Sequence, residues 1–239
     1  MTELEARLVP AGEVTPDVAA QLFALMDACY EGMDAATFAA DLAGKDSCIL
    51  LTDAEGVLRG FSTQRVMTVE VAGRRHVGVF SGDTVIEPAY WGSPALFQCF
   101  TRHFIAPQRD EPLWWFLISK GHRTYRMLPV FFERFWPRAG VPTPPLERAV
   151  MDAYATALYP DDYNPASGVI EYRTPKDRLC AGVAGIGPRE LANPHVAFFV
   201  EANPGHASGH DLVCLTELSV ANLKPRLRSV LLGRPEAVR

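Results

Sequence analysis

The stretch from Ser47 to Ile86 constrains the fold more than any other. Cys48-Ile49-Leu50-Leu51-Thr52 is a short apolar run, followed by the turn residues Asp53-Ala54-Glu55-Gly56. A second run spans Val57 to Met67. After the turn Ala72-Gly73-Arg74-Arg75 a third covers His76 to Ile86. Runs joined by so few residues must fold back on their neighbours, because a parallel connection needs a crossover of about a dozen residues. The spacing predicts a three-stranded antiparallel meander.

The flanking segments supply helices and further strands. Leu4 to Val9 reads as a short strand. Thr15 caps a helix with Pro16 at its first position, and Val18, Leu22, Leu25, Met26 and Cys29 share one face of it. A second helix runs from Asp34 to Gly44, with Phe38 and Leu42 one turn apart. Beyond the meander, Ser93 and Pro94 read as the cap and first residue of a helix whose stripe is Leu96, Phe97, Phe100 and Phe104. Leu113-Trp114-Trp115-Phe116-Leu117-Ile118 is an apolar run of strand length, expected to be buried on both faces. Tyr125, Leu128, Phe132 and Phe135 mark one more helix, which Pro129 must kink or restart.

The order β–α–α–β–β–β–α–β–α predicts an α/β fold: a mixed sheet, antiparallel in the meander, then parallel through a crossover at 76–118, with helices on both faces. Val141-Pro142-Thr143-Pro144-Pro145 cannot continue a helix or a central strand. It divides a core of residues 1–140 from a C-terminal α+β extension, 146–239, expected to pack on that core. Within the extension, Leu146–Leu158 and Asn193–Asn203 read as helices and Leu212–Leu218 as a strand.

Composition narrows the function classes. With 239 residues, 48% of them hydrophobic, the chain can bury a sizeable core. A net charge of −5 argues against a dedicated nucleic-acid binder. No run of apolar residues is long enough to span a membrane, and the N-terminus lacks the pattern of a signal peptide. The five cysteines are scattered, without a CxxC pair, which suits reduced, buried thiols in a cytoplasmic protein and no zinc site. His206 and His210 lie among Pro204, Gly205 and Gly209, in a loop that does not converge them on a metal. Gly182-Val183-Ala184-Gly185-Ile186-Gly187 lacks the spacing of a nucleotide-binding loop and reads as a tight turn or close packing.

Over residues 4–138 the element order resembles the GNAT (Gcn5-related N-acetyltransferase) superfamily, including its acyl-homoserine-lactone-synthase-like and N-acyl-amino-acid-synthase-like relatives. The segment Phe131-Phe132-Glu133-Arg134-Phe135-Trp136 is similar to that family's Leu-Tyr-Glu-Lys-Leu-Gly-Phe ending. The resemblance implies transfer of an acyl group from a thioester, acyl-CoA or acyl-phosphopantetheine on an acyl carrier protein, to a small-molecule amine acceptor, with no metal. It places the pantetheine in a splayed gap between Val77–Ile86 and Leu113–Ile118, and the pyrophosphate at Tyr90–Leu96. Donor-binding residues on that basis are Val85, Ile86, Tyr90, Trp91, Gly92, Ser93, Ala95, Leu96, Ser119, Lys120 and Arg123. The C-terminal extension would cover the acceptor side.

The chain departs from the family's loop signature, Gln/Arg-x-x-Gly-x-Gly/Ala. Anchored on Gly92, it has Ala89 at the first position and Pro94 at the last. Ala89 cannot contact pyrophosphate, and Pro94 removes a backbone donor. The departure implies use of a carrier protein, whose phosphopantetheine has no pyrophosphate, or else loss of activity, leaving a catalytically silent ligand- or protein-binding module. The family's α4 tyrosine falls on Phe132.

Several side chains carry alternative readings. Glu87, after the central strand, is a candidate general base or a surface carboxylate near the next helix N-terminus. Asp83 is a candidate anchor for the substrate amine or, the preferred reading, a bulge residue after Gly82. Tyr125 is a candidate acid for the leaving thiolate or a core aromatic on the apolar stripe. His122 is a candidate acceptor of the amine proton. Trp115, within an aromatic group that also suits plain core, is a candidate substrate contact. Lys120, Arg123, Arg126, Arg134 and Arg138 read as a phosphate or carrier-protein dock, or as a solvated face.

Overall fold

A computed structural model describes residues 3–174 and 177–232. The strands are β1 (Glu5–Pro10), β2 (Tyr30–Glu31), β3 (Ser47–Thr52), β4 (Leu58–Val71), β5 (Arg74–Ile86), β6 (Leu113–Ser119), β7 (Tyr163–Asn164), β8 (Val169–Ile170), β9 (Arg178–Leu179) and β10 (Asp211–Glu217). The helices are α1 (Pro16–Asp27), α2 (Ala35–Ala43), α3 (Ala95–Phe100), α4 (His122–Phe131), α5 (Pro145–Leu158), α6 (Ala181–Ala184), α7 (Pro188–Leu191), α8 (Pro194–Ala202) and α9 (Pro225–Leu232).

Eight strands form one sheet in the order β1-β3-β4-β5-β6-β10-β8-β7, while β2 and β9 pair separately. β1, β3, β4 and β5 are antiparallel to their neighbours, β5 and β6 are parallel, and β10 returns antiparallel to β6. This is the mixed sheet that the meander and crossover predict. The strand expected at 212–218 belongs to the same sheet, so the C-terminal segment extends the layer as well as covering it.

Alternation along the strands sorts the core. Ile49 and Leu51 of β3 and Trp115 and Leu117 of β6 pack with α3 and α4 on one face. Cys48 and Leu50 turn to the other face and meet Leu22 and Met26 of α1 and Phe38 and Leu42 of α2. Trp114 and Phe116 share that second face further along, under Val150, Met151 and Tyr154 of α5. The α1/α2 pair and α5 therefore cover opposite halves of one face and leave the sheet centre between them.

Local chemistry accounts for most boundaries. The Thr15 hydroxyl accepts the Val18 N–H, and the Asp34 carboxylate accepts the Ala36 and Thr37 N–H groups. Asn193 caps α8 in the same way through the His195 N–H. Two expectations shift. α3 begins at Ala95 instead of Pro94, with the Ser93 hydroxyl accepting the Ala95 N–H at 3.4 Å. The helix expected through Phe135 ends at Phe131, one turn after His122–Leu128 bury their face, and tolerates Pro129 only in its last turn. Phe132 and Phe135 stay buried in extended chain beyond it.

Candidate functional site at the splayed strands

The parallel ladder between β5 and β6 runs from Val77↔Leu113 to Ser81↔Leu117 and stops there, although β5 continues to Ile86. The cause lies on the other edge of β5. Ser81 pairs with Gln64 but Thr84 pairs with Ser62, so β5 carries one extra residue, Gly82 or Asp83, opposite Thr63. Such a bulge bends its strand and re-aims the side chains beyond it. Phe80 and Val85, five positions apart, consequently point to the same face, where regular alternation would separate them. The bulge is held by the Thr63 hydroxyl, which accepts the Asp83 N–H at 3.1 Å. Gly82 has no room for a side chain, since a Cβ there would lie 2.9 Å from both Lys45 and the Thr63 hydroxyl.

The divergence leaves an opening with three connected lobes. Thr84 of β5 and Thr124 of α4 line all three. The largest, about 370 Å³, lies on the α2 and α5 side and is lined by Asp41, Asp83, Asp177 and Asp211, with Lys45, Lys120 and the aromatic rings of Tyr30, Tyr159 and Tyr172. A second, about 100 Å³, lies between the end of β5 and the start of α4, beside Trp91, His122 and Arg123. The third, about 20 Å³, is an apolar slot on the α3 side, lined by Phe97, Phe100 and Trp115. One end of the opening is thus polar and the other greasy.

Asp83 is strongly altered by this setting. Burial, then the carboxyl of Asp41, push its pKa up to about 7, while Lys45 pulls the other way. Lys45 is itself tied to Asp41 at 2.7 Å and lies 5.3 Å from the centre of the Phe80 ring. Lys120 bonds the Asp177 carboxylate at 2.8 Å and lies 3.6 Å from Asp211. Burial works against its charge, but Asp211 and Asp177 outweigh it and its pKa is raised. Tyr172 donates to Asp211 at 2.8 Å.

The residues singled out from sequence divide among these surroundings. Asp83 lines the acidic lobe, and Lys120 lies there too, bonded to carboxylates instead of facing a phosphate. Val85, Ile86, Trp91, His122 and Arg123 line the middle lobe. Burial holds the pKa of His122 down to about 4, so it is a neutral imidazole near pH 7. Leu96 and Trp115 line the apolar slot, and the Trp115 indole N–H donates to the Ser81 hydroxyl at 2.9 Å.

Other residues singled out from sequence lie away from these lobes. Tyr125 is fully buried, packed on Phe199 and donating to the Pro137 carbonyl at 2.9 Å, the environment of the core aromatic that the apolar stripe suggested. Ser119 is also fully buried, against Cys214. Glu87 lies on the outer flank, 3.3 Å from Arg59, which Asp53 holds at 2.7 Å. Tyr90, Ser93 and Ala95 line a separate groove with Leu4 and Gln98, and Gly92, at φ +94°, shapes the turn leading into it.

Sequence reasoning passed over Tyr30, Asp41, Lys45, Asp177 and Asp211. Asp41 and Lys45 form an i,i+4 pair at the end of α2, a spacing the sequence does show, but nothing local joins that pair to Tyr30, Asp177 or Asp211. Among the described residues no group of three or more His, Cys, Asp or Glu side chains is arranged to hold a metal ion, and no helix is long and apolar enough to cross a membrane.

No family model matches this chain, and no curated protein does. Solved structures to which the chain is similar include a protein of unknown function from Enterococcus faecalis, described as a probable N-acyltransferase. It is 15% identical over 56% of this chain and 33% of that one, with a TM-score of 0.42. The chain thus spans about a third of that protein's length. NAA60 of Arabidopsis thaliana, solved with a bisubstrate analogue, is 14% identical over 54% of this chain and 86% of its own, with a TM-score of 0.37. The GNAT family N-acetyltransferase YhbS of Escherichia coli, solved with CoA, is 16% identical over 55% of this chain and 69% of its own, also at 0.37. Likenesses this distant assign no activity, and the functional reading rests on this chain's own geometry.

Proposed function

We propose that this protein transfers an acyl group from a phosphopantetheine thioester to a small cationic amine. The observation that carries the reading is the opening at the β5 bulge. It joins an acidic, aromatic lobe that Asp83 lines to an apolar slot, with Gly82 and Thr84, the neighbours of Asp83, lining both. A lobe of about 370 Å³ suits a small metabolite amine. Its carboxylates and aromatic faces favour an ammonium group.

In this reading the amine enters as its ammonium ion, and Asp83 takes one proton. The neutral nitrogen attacks the thioester carbonyl, held where β5 and β6 part. As the tetrahedral intermediate collapses to the amide, the carbon–sulfur bond breaks, and the nitrogen's second proton passes to the Tyr30 hydroxyl as that hydroxyl gives its own proton to the departing sulfur. The sulfur leaves as the thiol. Tyr30 lines both the acidic and the middle lobe, and burial raises its pKa, so it stays protonated and supplies the nearby hydroxyl for that relay. Acyl-CoA and acyl carrier protein present the same pantetheine arm. Ala89 and Pro94 at the α3 turn favour a donor that needs no pyrophosphate cradle.

A second reading is a module that binds such ligands without transfer. One observation favours it: the Trp91 indole N–H already occupies the Ile86 carbonyl, at 2.8 Å, on the edge where a pantetheine amide would bond. Incubation with acyl-CoAs and acyl carrier protein thioesters, each with a panel of di- and polyamines, separates the two. Transfer releases free thiol in step with an acylated amine seen by mass spectrometry. Thermal stabilisation by a donor with no thiol release would establish the silent module instead.

A further inference from the structure

A short strap, residues 177–184, crosses the mouth of the opening. On one wall β9 pairs with β2, Tyr30 opposite Leu179 and Glu31 opposite Arg178, and Arg178 adds an ion pair to Glu31 at 2.8 Å. On the other wall Lys120 bonds the Asp177 carbonyl at 2.8 Å, and Arg123 bonds the Val183 carbonyl at 2.5 Å while lying over the Trp91 ring. Leu179 and Val183 form the underside of the strap and line the middle lobe.

The β2–β9 ladder extends by one more bond, from the Cys180 N–H to the Cys29 carbonyl at 2.9 Å. Cys29 and Cys180 therefore stand opposite each other across the pairing that fastens the strap. Directly opposed residues of an antiparallel pair have Cα atoms about 4.5–5.5 Å apart, inside the range of about 4.4–6.8 Å that a disulfide spans. Both cysteines are free thiols; Cys29, like Cys48, Cys99 and Cys214, is buried, and Cys180 is half-exposed.

We propose that Cys29 and Cys180 form a reversible redox latch, a disulfide that, once made, fixes the strap across the mouth of the opening. The co-reactant is a small-molecule disulfide such as oxidised glutathione. The Cys180 thiolate attacks one of its sulfurs, forming a mixed disulfide and releasing one glutathione. The Cys29 thiolate then attacks the Cys180 sulfur, closing the protein disulfide and releasing the second. Two electrons pass to the small disulfide, and two protons end on the two glutathione thiols. Reduced, the strap is held by its short ladder, by side-chain bonds and by the packing of Leu179 and Val183. Control of donor entry by the latch would follow only from the acyl-transfer reading, but the cross-link and its grip on the strap stand apart from it.

The test uses the full chain equilibrated with oxidised or reduced glutathione. Peptide mapping without reduction should find Cys29 joined to Cys180. Amide hydrogen exchange over 178–184 should slow by about tenfold or more on oxidation, because local opening then no longer frees the strap. Cys180→Ser, at a half-exposed position, and Cys29→Ala should each abolish both changes. A stable glutathione adduct on Cys180 with no internal cross-link, or a cross-link that leaves exchange over 178–184 unchanged, would overturn the latch.

Discussion

Asp83 shows how a single residue changes meaning with its register. Sequence alone favoured a bulge role, and the bulge is present; the same extra residue turns the carboxyl into the acidic lobe. Its raised pKa gives two expected outcomes. Asp83→Asn should lower turnover by about 10²–10⁴ with donor affinity little changed, and should remove an acid limb near pH 7 from the rate profile. The folded chain also holds a proton on Asp83 between its unfolded value of 3.8 and about 7, where the unfolded chain has lost it. Its contribution to stability is therefore full below that window and lost as pH rises through the folded value. Asparagine removes this penalty, so the melting temperature of the variant relative to the parent should rise from pH 4 to pH 8; a flat difference would mean that Asp83 is ordinary. Glu87→Gln should keep turnover within about tenfold, since it breaks only a partly exposed contact with Arg59. The sequence shows Gly82-Asp83 plainly, but not Asp41 and Asp177, which the chain delivers to it only through tertiary folding.

At the scale of elements, spacing and alternation were sufficient for the meander, the crossover helix and β6, because each of these is fixed by local turns and by burial on one or both faces. What stayed hidden depends on partners distant in the chain. The β2–β9 pair is two residues long on each side and has no periodicity to read. The slip in β5 is marked in the sequence by Gly82-Asp83, but the β4 hydroxyl that holds it reaches it only across the sheet. Thr63→Val tests that dependence. Valine keeps the shape but leaves the Asp83 N–H without its acceptor at a buried site, at a cost of about 1–3 kcal/mol in denaturant unfolding. Turnover should fall too, because the freed bulge no longer aims Asp83. A stable variant with full activity would show that the bulge is held by something else.

At the scale of the whole molecule, apolar clusters and the sheet run across the prolines at 142, 144 and 145. β6 is paired along Trp114–Ser119 by β10, from the far end of the chain. Phe80, Trp114 and Phe116 from before the prolines share one apolar cluster with Val150, Met151 and Tyr154 from after them. On the opposite face Leu4 and Leu231 belong to the same cluster. Tyr154 reaches back to donate to the His76 carbonyl at 2.8 Å and fills the space that a side chain at Gly78 would take. We propose that residues 1–140 and 146–239 fold as one cooperative unit, because neither can bury its apolar surface alone. Calorimetry of the full chain should show a single transition whose van't Hoff and calorimetric enthalpies agree. Residues 1–145 expressed alone should fail to give a cooperative melt. They would expose the unpaired edge of Leu113-Trp114-Trp115-Phe116-Leu117-Ile118-Ser119, an apolar strand of the kind that recruits other chains. Two resolved transitions in the full chain, or a cooperatively melting 1–145 fragment, would make the C-terminal segment a separate domain. The acidic lobe would then depend on how two units dock, since Asp177 and Asp211 come from one and Asp41 and Asp83 from the other.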